Sequence, residues 1–258
     1  MTLIQTLILS IIEGITEFLP ISSTGHLILA NRLLGVSDSN FTKSFEIVIQ
    51  LGAVLAVVVL YWRRVFTDKE VWKRVIIAFI PTAILGFIFY KSIKKYLLSN
   101  GELTLWSLFL GGIALIVFEL WYKKKNSAID IELQKIDYKQ SIAIGIAQSI
   151  AMIPGVSRSA ATIVGGLIMG ISRETIVEFS FLLAAPTMAT AAGFDLLKSA
   201  GNFSFSQFHL LTIGFIISFI VALTSIKWLL NFIKSHTFIP FGVYRIIAAI
   251  LFWLFVIR

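Results

Sequence analysis

The chain alternates between long apolar runs and short polar breaks. Uninterrupted apolar runs fall at roughly 45–62, 75–90, 103–122, 176–197, 208–231 and 238–257. Each is near the ~17–25 residues that carry a helix across the hydrocarbon core of a bilayer, with 75–90 the short one. Apolarity is continuous within the runs rather than alternating, so helices are expected and not barrel strands. Two further apolar stretches are broken in the middle. Residues 3–34 are interrupted by EGITEFLPISSTGH, from Glu13 to His26, and residues 141–170 by IPGVSRSAAT, from Ile153 to Thr162. Each break holds a proline, then small hydroxyl residues, then a fresh helical run. Irregular backbone at membrane depth is tolerated only where protein covers it or a polar cavity opens beside it, so chemistry is expected at these two places.

The two broken stretches also resemble each other. Set in register without a gap, Glu13 pairs with Gln148, Ile15 with Ile150, Ser22 with Ser157 and Thr24 with Ser159, and further on Glu46 and Glu178 occupy similar places. Paired interruptions in corresponding halves point to a midplane site built at a repeat interface. The division this suggests within a single membrane domain, 1–258, is a first half at 1–122, a basic loop at 123–139 and a second half at 140–258.

Composition sharpens the membrane reading. Hydrophobic residues make up 57% and charged residues 14% of the 258 residues, against about 45–50% and 25% in ordinary soluble domains. Too few polar residues remain to cover a soluble surface. Cysteine is absent, which excludes disulfides, thiolate metal sites and a cysteine nucleophile. The net charge of +8 is clustered: Arg63, Arg64, Lys69, Lys73 and Arg74 form one group, and Lys123, Lys124, Lys125, Lys135 and Lys139 another. Two runs separate the groups, so both can be cytoplasmic loops, and nucleic-acid binding is not expected. Residues 35–44 then lie outside, as do Lys91, Lys94 and Lys95 against the rule, and the break after Pro20 opens outward. The N-terminus lacks the basic region of a cleavable signal peptide.

Glu13 and Glu17 are i, i+4 neighbours, so both carboxylates share one helix face. One of them could be merely protonated or backbone-bonded. Two acids together at membrane depth suit better a divalent cation, or a base and its orienter. Ser22, Ser23, Thr24 and His26 follow Pro20 at a helix start. One hydroxyl can serve as an N-cap, which leaves the other two and His26 to bind an anion at the helix N-terminus or to act in catalysis. Pro154, Gly155, Ser157, Arg158 and Ser159 repeat the design with a guanidinium, which grips phosphate oxygens bidentately. Lipid snorkelling would be the ordinary use of such an arginine. Gly166 and Gly170 read as a small-residue packing stripe. Two acids, a histidine, hydroxyls, an arginine and two helix N-termini together suit phosphoryl transfer on an amphiphile with a phosphate or diphosphate head.

The chain resembles the undecaprenyl-diphosphate phosphatase family, also known as the bacitracin-resistance proteins, over nearly its full length. The resemblance rests on EGITEFLPISSTGH, on FEIVIQLGAVLAVV from Phe45 to Val58 and on PGVSRSAAT. It implies an all-α polytopic membrane fold of six transmembrane helices plus two re-entrant helix pairs, arranged as two inverted repeats in the bacterial plasma membrane. It implies hydrolysis of undecaprenyl diphosphate to the monophosphate, recycling the lipid carrier of cell-wall polymers, with the site facing outward. It also implies dependence on a divalent cation, Mg²⁺ or Ca²⁺, with Glu13 and Glu17 as candidate ligands. The family's motifs fall on Glu13, Glu17, Ser22, Ser23, Thr24 and His26, and on Pro154, Gly155, Ser157, Arg158, Ser159 and Thr162. On this reading Arg158 and the helix N-termini hold the diphosphate, Ser23 attacks or positions phosphorus, and Glu17 and His26 move protons. Ser22 against Ser23, a phosphoserine against direct water attack, and a homodimer against a monomer stay open. A transporter or flippase of prenyl phosphates is the alternative, since paired broken segments are also transporter architecture. A PSGH-type lipid phosphatase is excluded because no histidine lies between His26 and His209, and a prenyl transferase because no DDxxD-type pair is present.

Overall fold

The computed structural model describes residues 1–92, 101–123, 131–199 and 207–254, without the side chains of 90–92 and 194–199. Five helices in it are long and apolar enough to cross a membrane: α3 (Asn40–Leu60), α5 (Lys69–Ser92), α6 (Gly101–Lys123), α9 (Arg173–Ser199) and α10 (Phe208–Ile233). The sixth expected span, 238–257, is described only as far as Leu254, and its helix α11 (Ile239–Phe252) has 14 residues. The chain is thus a polytopic helical protein with five candidate spans among the described residues. Its outward faces carry large apolar side chains such as Ile84, Phe87, Leu110, Val117, Ile220 and Trp228, as contact with lipid tails requires.

The broken stretches become two pairs of short helices, α1 (Leu3–Thr16) with α2 (Ser23–Leu33) and α7 (Tyr138–Ser149) with α8 (Arg158–Ile168). At 1.5 Å per residue, α2 and α8 extend only ~16 Å, about half the hydrocarbon thickness. The pairs share their punctuation. Thr2 and Gln5 form a capping box at the start of α1, and Asp137 and Gln140 form one at the start of α7. Ser22 and Ser157 cap α2 and α8 with φ of 73° and 76°. Gly35 and Gly170 end those helices with φ of 60° and 82°, the conformation that glycine adopts without strain. Gly170 is therefore a terminator and not part of a packing stripe, whereas Gly166 does lie tight against Ile176.

Beyond these ends the register shifts. Ser39 caps α3 through Thr42, and Ser172 bonds Thr175 in the same way at the start of α9. The connection is shorter by two residues, Gly35 to Ser39 against Gly170 to Ser172. Glu46 and Glu178 are consequently not equivalents: Glu178 aligns with Phe45 and Glu46 with Phe179. Glu46 accepts a bond from Asn31 at 2.5 Å, while Glu178 pairs with Arg64 at 2.5 Å near the opposite end of the bundle.

Packing exchanges the halves. α1 and α3 lie against α10, α7 and α9 lie against α5, and α3 meets α9 at the centre. α6 and α11 approach so closely that a Cβ on Gly112 would meet the Gly242 carbonyl at 2.7 Å, and one on Gly242 would meet the Gly112 carbonyl at 2.8 Å. The helix α4 (Trp62–Thr67) and the segment 131–137 gather at one end, where Gln134 donates to Asp68 (2.9 Å) and Arg74 to the Ile136 carbonyl (2.7 Å). Both basic clusters, as far as they are described, therefore sit at the same end.

Candidate active site

The two proline breaks meet. Pro20 lacks an N–H and α1 stops before it, while Pro154 stands beyond the 3-10 turn that follows α7. The chain then reverses into α2 and α8, whose N-termini face a common cavity of about 170 Å³. Its wall includes Glu17, Ser22, Ser23 and Thr24 from the first pair, and Pro154, Gly155, Ser157 and Arg158 from the second.

Within the wall each hydroxyl has its own task. Ser22 is the N-cap, its Oγ accepting from the Gly25 N–H at 3.4 Å. Ser23 is the first residue of the helix, and its hydroxyl donates to Glu17 Oε2 at 2.6 Å. Ser157 repeats the cap toward the Ala160 N–H at 3.2 Å. Arg158 bridges the first pair and α9: Nη2 donates to Glu17 Oε1 at 3.2 Å and Nη1 to the Ser180 carbonyl at 2.9 Å. Its Nε is buried without a partner among the described residues, so the guanidinium keeps a donor for an anion. Gly155 has φ of 93°, and a Cβ there would strike the Thr104 carbonyl.

Other expected residues lie outside the cavity wall. Ser159 donates to the Phe18 carbonyl (2.8 Å), tying the second pair to the first, and Thr162 donates back to the Arg158 carbonyl (2.8 Å). His26, expected to bind an anion or act in catalysis, is not among the wall residues. Its Nδ1 meets the Ser22 carbonyl at 2.8 Å and its Nε2 the Tyr244 hydroxyl at 2.9 Å. Because a carbonyl only accepts, Nδ1 carries the proton and Nε2 accepts from the tyrosine. Both ring nitrogens are thereby committed.

Glu13 is fully buried, and neither of its oxygens has a hydrogen-bond partner among the described residues. The Glu17 N–H bonds the Glu13 carbonyl at 3.0 Å, so helical backbone continues between them and the two acids share a face. No cluster of three or more His, Cys, Asp or Glu suited to a metal occurs among the described residues. Two carboxylates completed by substrate phosphate oxygens and water is nevertheless a usual magnesium arrangement, and the unpartnered Glu13 oxygens fit it.

The family described as bacitracin resistance protein BacA matches residues 6–251. This chain belongs to the bacitracin resistance protein BacA family. The undecaprenyl-diphosphatase of Sulfurihydrogenibium sp. is 52% identical to it over 98% of this chain and 99% of its own length. That of Aquifex aeolicus is 52% identical over 98% of both chains, and that of Methanococcus aeolicus 43% identical over the whole of both.

In this BacA chain the sequence reading passed over two residues of α11. Tyr244 holds His26, and Arg245, 1% exposed, donates to five carbonyls. These are Leu108 through Nε (3.2 Å), Pro20 and Val156 through Nη1 (3.3 and 3.0 Å), and Ser107 and Gly155 through Nη2 (3.1 and 2.8 Å). One guanidinium thus holds both proline loops of the BacA site. A charged residue inside an apolar run is costly in a membrane and marks function; Arg245 in the run 238–257 carried that signal.

Proposed function

We propose that this protein is a membrane phosphatase that hydrolyses undecaprenyl diphosphate to undecaprenyl phosphate and inorganic phosphate. The observation that carries the reading is the Ser23 hydroxyl held on Glu17 at 2.6 Å within the cavity that Arg158 also lines. Its relatives' name supplies the substrate. The terminal phosphate enters against the N-termini of α2 and α8, with Arg158 offering its unpartnered Nε–H. Ser23 attacks phosphorus and its proton passes to Glu17 Oε2. The bridging oxygen leaves with the lipid monophosphate, which takes that proton, and water then frees the phosphate from Ser23. His26 is a positioning residue for the Ser22 turn rather than a proton carrier. A divalent cation, Mg²⁺ or Ca²⁺, fits at Glu13 with Glu17, where it would neutralise charge on the diphosphate. A flippase would need the anion clamp but no hydroxyl held on a carboxylate, so the geometry favours hydrolysis.

In the bacterial plasma membrane, α1–α2 and α7–α8 are on this reading re-entrant pairs of two inverted repeats, and α11 with the residues beyond it completes six spans. Thr82 and Thr187 of the cavity wall stand 13 and 14 residues into α5 and α9, which start at the basic end. The cavity is thus ~20 Å from the basic end, which supports an outward-facing site if that end is cytoplasmic. Recycling of the carrier lipid for peptidoglycan synthesis, and resistance to bacitracin, follow from that position.

The test is phosphate release from undecaprenyl diphosphate by purified protein in detergent. Wild type should release phosphate, EDTA should suppress it, and Mg²⁺ or Ca²⁺ should restore it. Protein that binds a non-hydrolysable diphosphonate analogue yet releases no phosphate from the substrate would overturn the reading.

A further inference from the structure

The cavity has a wall that this mechanism leaves unused. Besides the residues already placed, it is lined by Thr82, Gln148 and Thr187. Gln148 occupies in α7 the place that Glu13 occupies in α1, and it is equally buried, at 1% exposure. Its Nε2 donates to Thr82 Oγ1 at 2.9 Å and to Thr187 Oγ1 at 3.3 Å. Each threonine follows a proline inside a spanning helix, Pro81 in α5 and Pro186 in α9.

The threonines fix which way the amide points. Thr82 gives its hydroxyl hydrogen to the Gly145 carbonyl (3.0 Å), and Thr187 gives its own to the Leu183 carbonyl (2.7 Å). Neither hydroxyl can donate again, so both must accept, and the NH₂ group of Gln148 must face them. The amide oxygen is left over. Gln148 Oε1 is buried and has no hydrogen-bond partner among the described residues. An acceptor left bare in this way is costly, so a donor is to be expected there. Phosphate oxygens that carry no proton cannot satisfy it, since an acceptor needs a hydrogen. A water beside the phosphate carries the needed hydrogen, and a glutamine orients attacking water in this way in other phosphoryl-transfer sites.

We propose that Gln148 holds the water that releases phosphate from Ser23. The proposal rests on the phosphatase reading above. The water donates one O–H to Gln148 Oε1 and aims its oxygen at phosphorus. Its oxygen bonds phosphorus as the bond from phosphorus to Ser23 Oγ breaks. Its other proton passes through Glu17 to Ser23 Oγ, which regains its hydroxyl. The hydrogen held by Gln148 leaves on the inorganic phosphate.

The test compares wild type with Gln148→Met, which keeps size and removes the amide acceptor, and Gln148→Glu, whose carboxyl in its protonated form gives its hydrogen to a threonine and keeps the other oxygen as acceptor. Purified proteins matched for thermal unfolding temperature are mixed with undecaprenyl diphosphate, and both products and phosphoserine are followed from the first turnover. In Gln148→Met, kcat should fall about 100-fold. Undecaprenyl phosphate should appear in a burst of one equivalent per enzyme, and phosphate should accumulate on Ser23. Binding of the diphosphonate analogue should stay within twofold of wild type. Gln148→Glu should recover at least a tenth of the wild-type rate. A fall in kcat with no burst and no phosphoserine, an equal loss of analogue binding, or unchanged turnover would each overturn the water site. Failure of the nucleophile reading is read separately: Ser23→Ala in the wild-type background would then keep its phosphate release.

Discussion

At the scale of single residues, adjacent hydroxyls differ because one is spent on the backbone. Ser22 caps α2 from a left-handed conformation, whereas Ser23 presents its hydroxyl to Glu17. Ser23→Ala should therefore lower phosphate release at least about 100-fold, roughly 2.7 kcal/mol of barrier, and leave analogue binding nearly intact. Ser22 substitutions should separate differently. Ser22→Gly relieves the strain of φ 73° and should unfold at a higher temperature than Ser22→Ala, which loses a cap worth about 1 kcal/mol and keeps the strain. Thermal unfolding in detergent measures both. Sequence placed the acids, the hydroxyls and Arg158 together, because their types and spacing are chemically unusual in an apolar chain. It could not tell Ser22 from Ser23, since that choice depends on which residue takes the positive φ. It did not foresee the Tyr244 hydroxyl that engages His26, because that partner arrives from 218 residues away.

At the scale of elements, the site is two loops kept in one geometry by a third helix. Arg245 offers five N–H donors to five carbonyls, and Pro20, Val156 and Gly155 among them belong to the two breaks. Lysine carries three donors on a single nitrogen and cannot reach all of them, so Arg245→Lys leaves buried carbonyls bare at roughly 1–3 kcal/mol each. Its unfolding temperature should drop clearly, and the activity of the folded fraction should fall more than tenfold, measured by calorimetry and phosphate release on the same sample. Two of the positive-φ glycines give an internal contrast. A Cβ on Gly155 would strike the Thr104 carbonyl, whereas one on Gly35 has nothing within 4 Å. Gly155→Ala should abolish activity and strongly destabilise the fold, while Gly35→Ala should cost only the strain of its backbone, about 1–2 kcal/mol. The breaks were legible because proline and small polar residues stand out against apolar runs. The clamp was less so: a guanidinium facing only carbonyls has no acidic partner to suggest it.

At the scale of the whole molecule, hydropathy alone yields the five long helices of the described residues and their order, because a bilayer imposes length and apolarity on every span. It does not yield the exchange of halves, in which α1 packs on α10 and α7 on α5, since lipid-facing and protein-facing positions are similarly apolar. The identical caps in the two short pairs were written in the sequence, in Thr2 with Gln5 and Asp137 with Gln140, but such boxes become meaningful only as a matched pair. Orientation is the remaining large-scale consequence, and the absence of cysteine makes it directly measurable. Asp38 precedes α3 with its side chain 81% exposed, and Glu132, 68% exposed, lies in the segment bonded to Asp68 beyond the far end of that helix. The 21 residues of α3 separate the two positions by ~31 Å. Single cysteines at each should react oppositely with a membrane-impermeant maleimide in right-side-out vesicles. On the proposed orientation, in which the clustered lysines and arginines at the Glu132 end face the cytoplasm, Asp38→Cys should be labelled and Glu132→Cys protected until detergent is added. The reverse pattern would place the basic end outside and the cavity in the half of the membrane nearer the cytoplasm, against the outward-facing site proposed above.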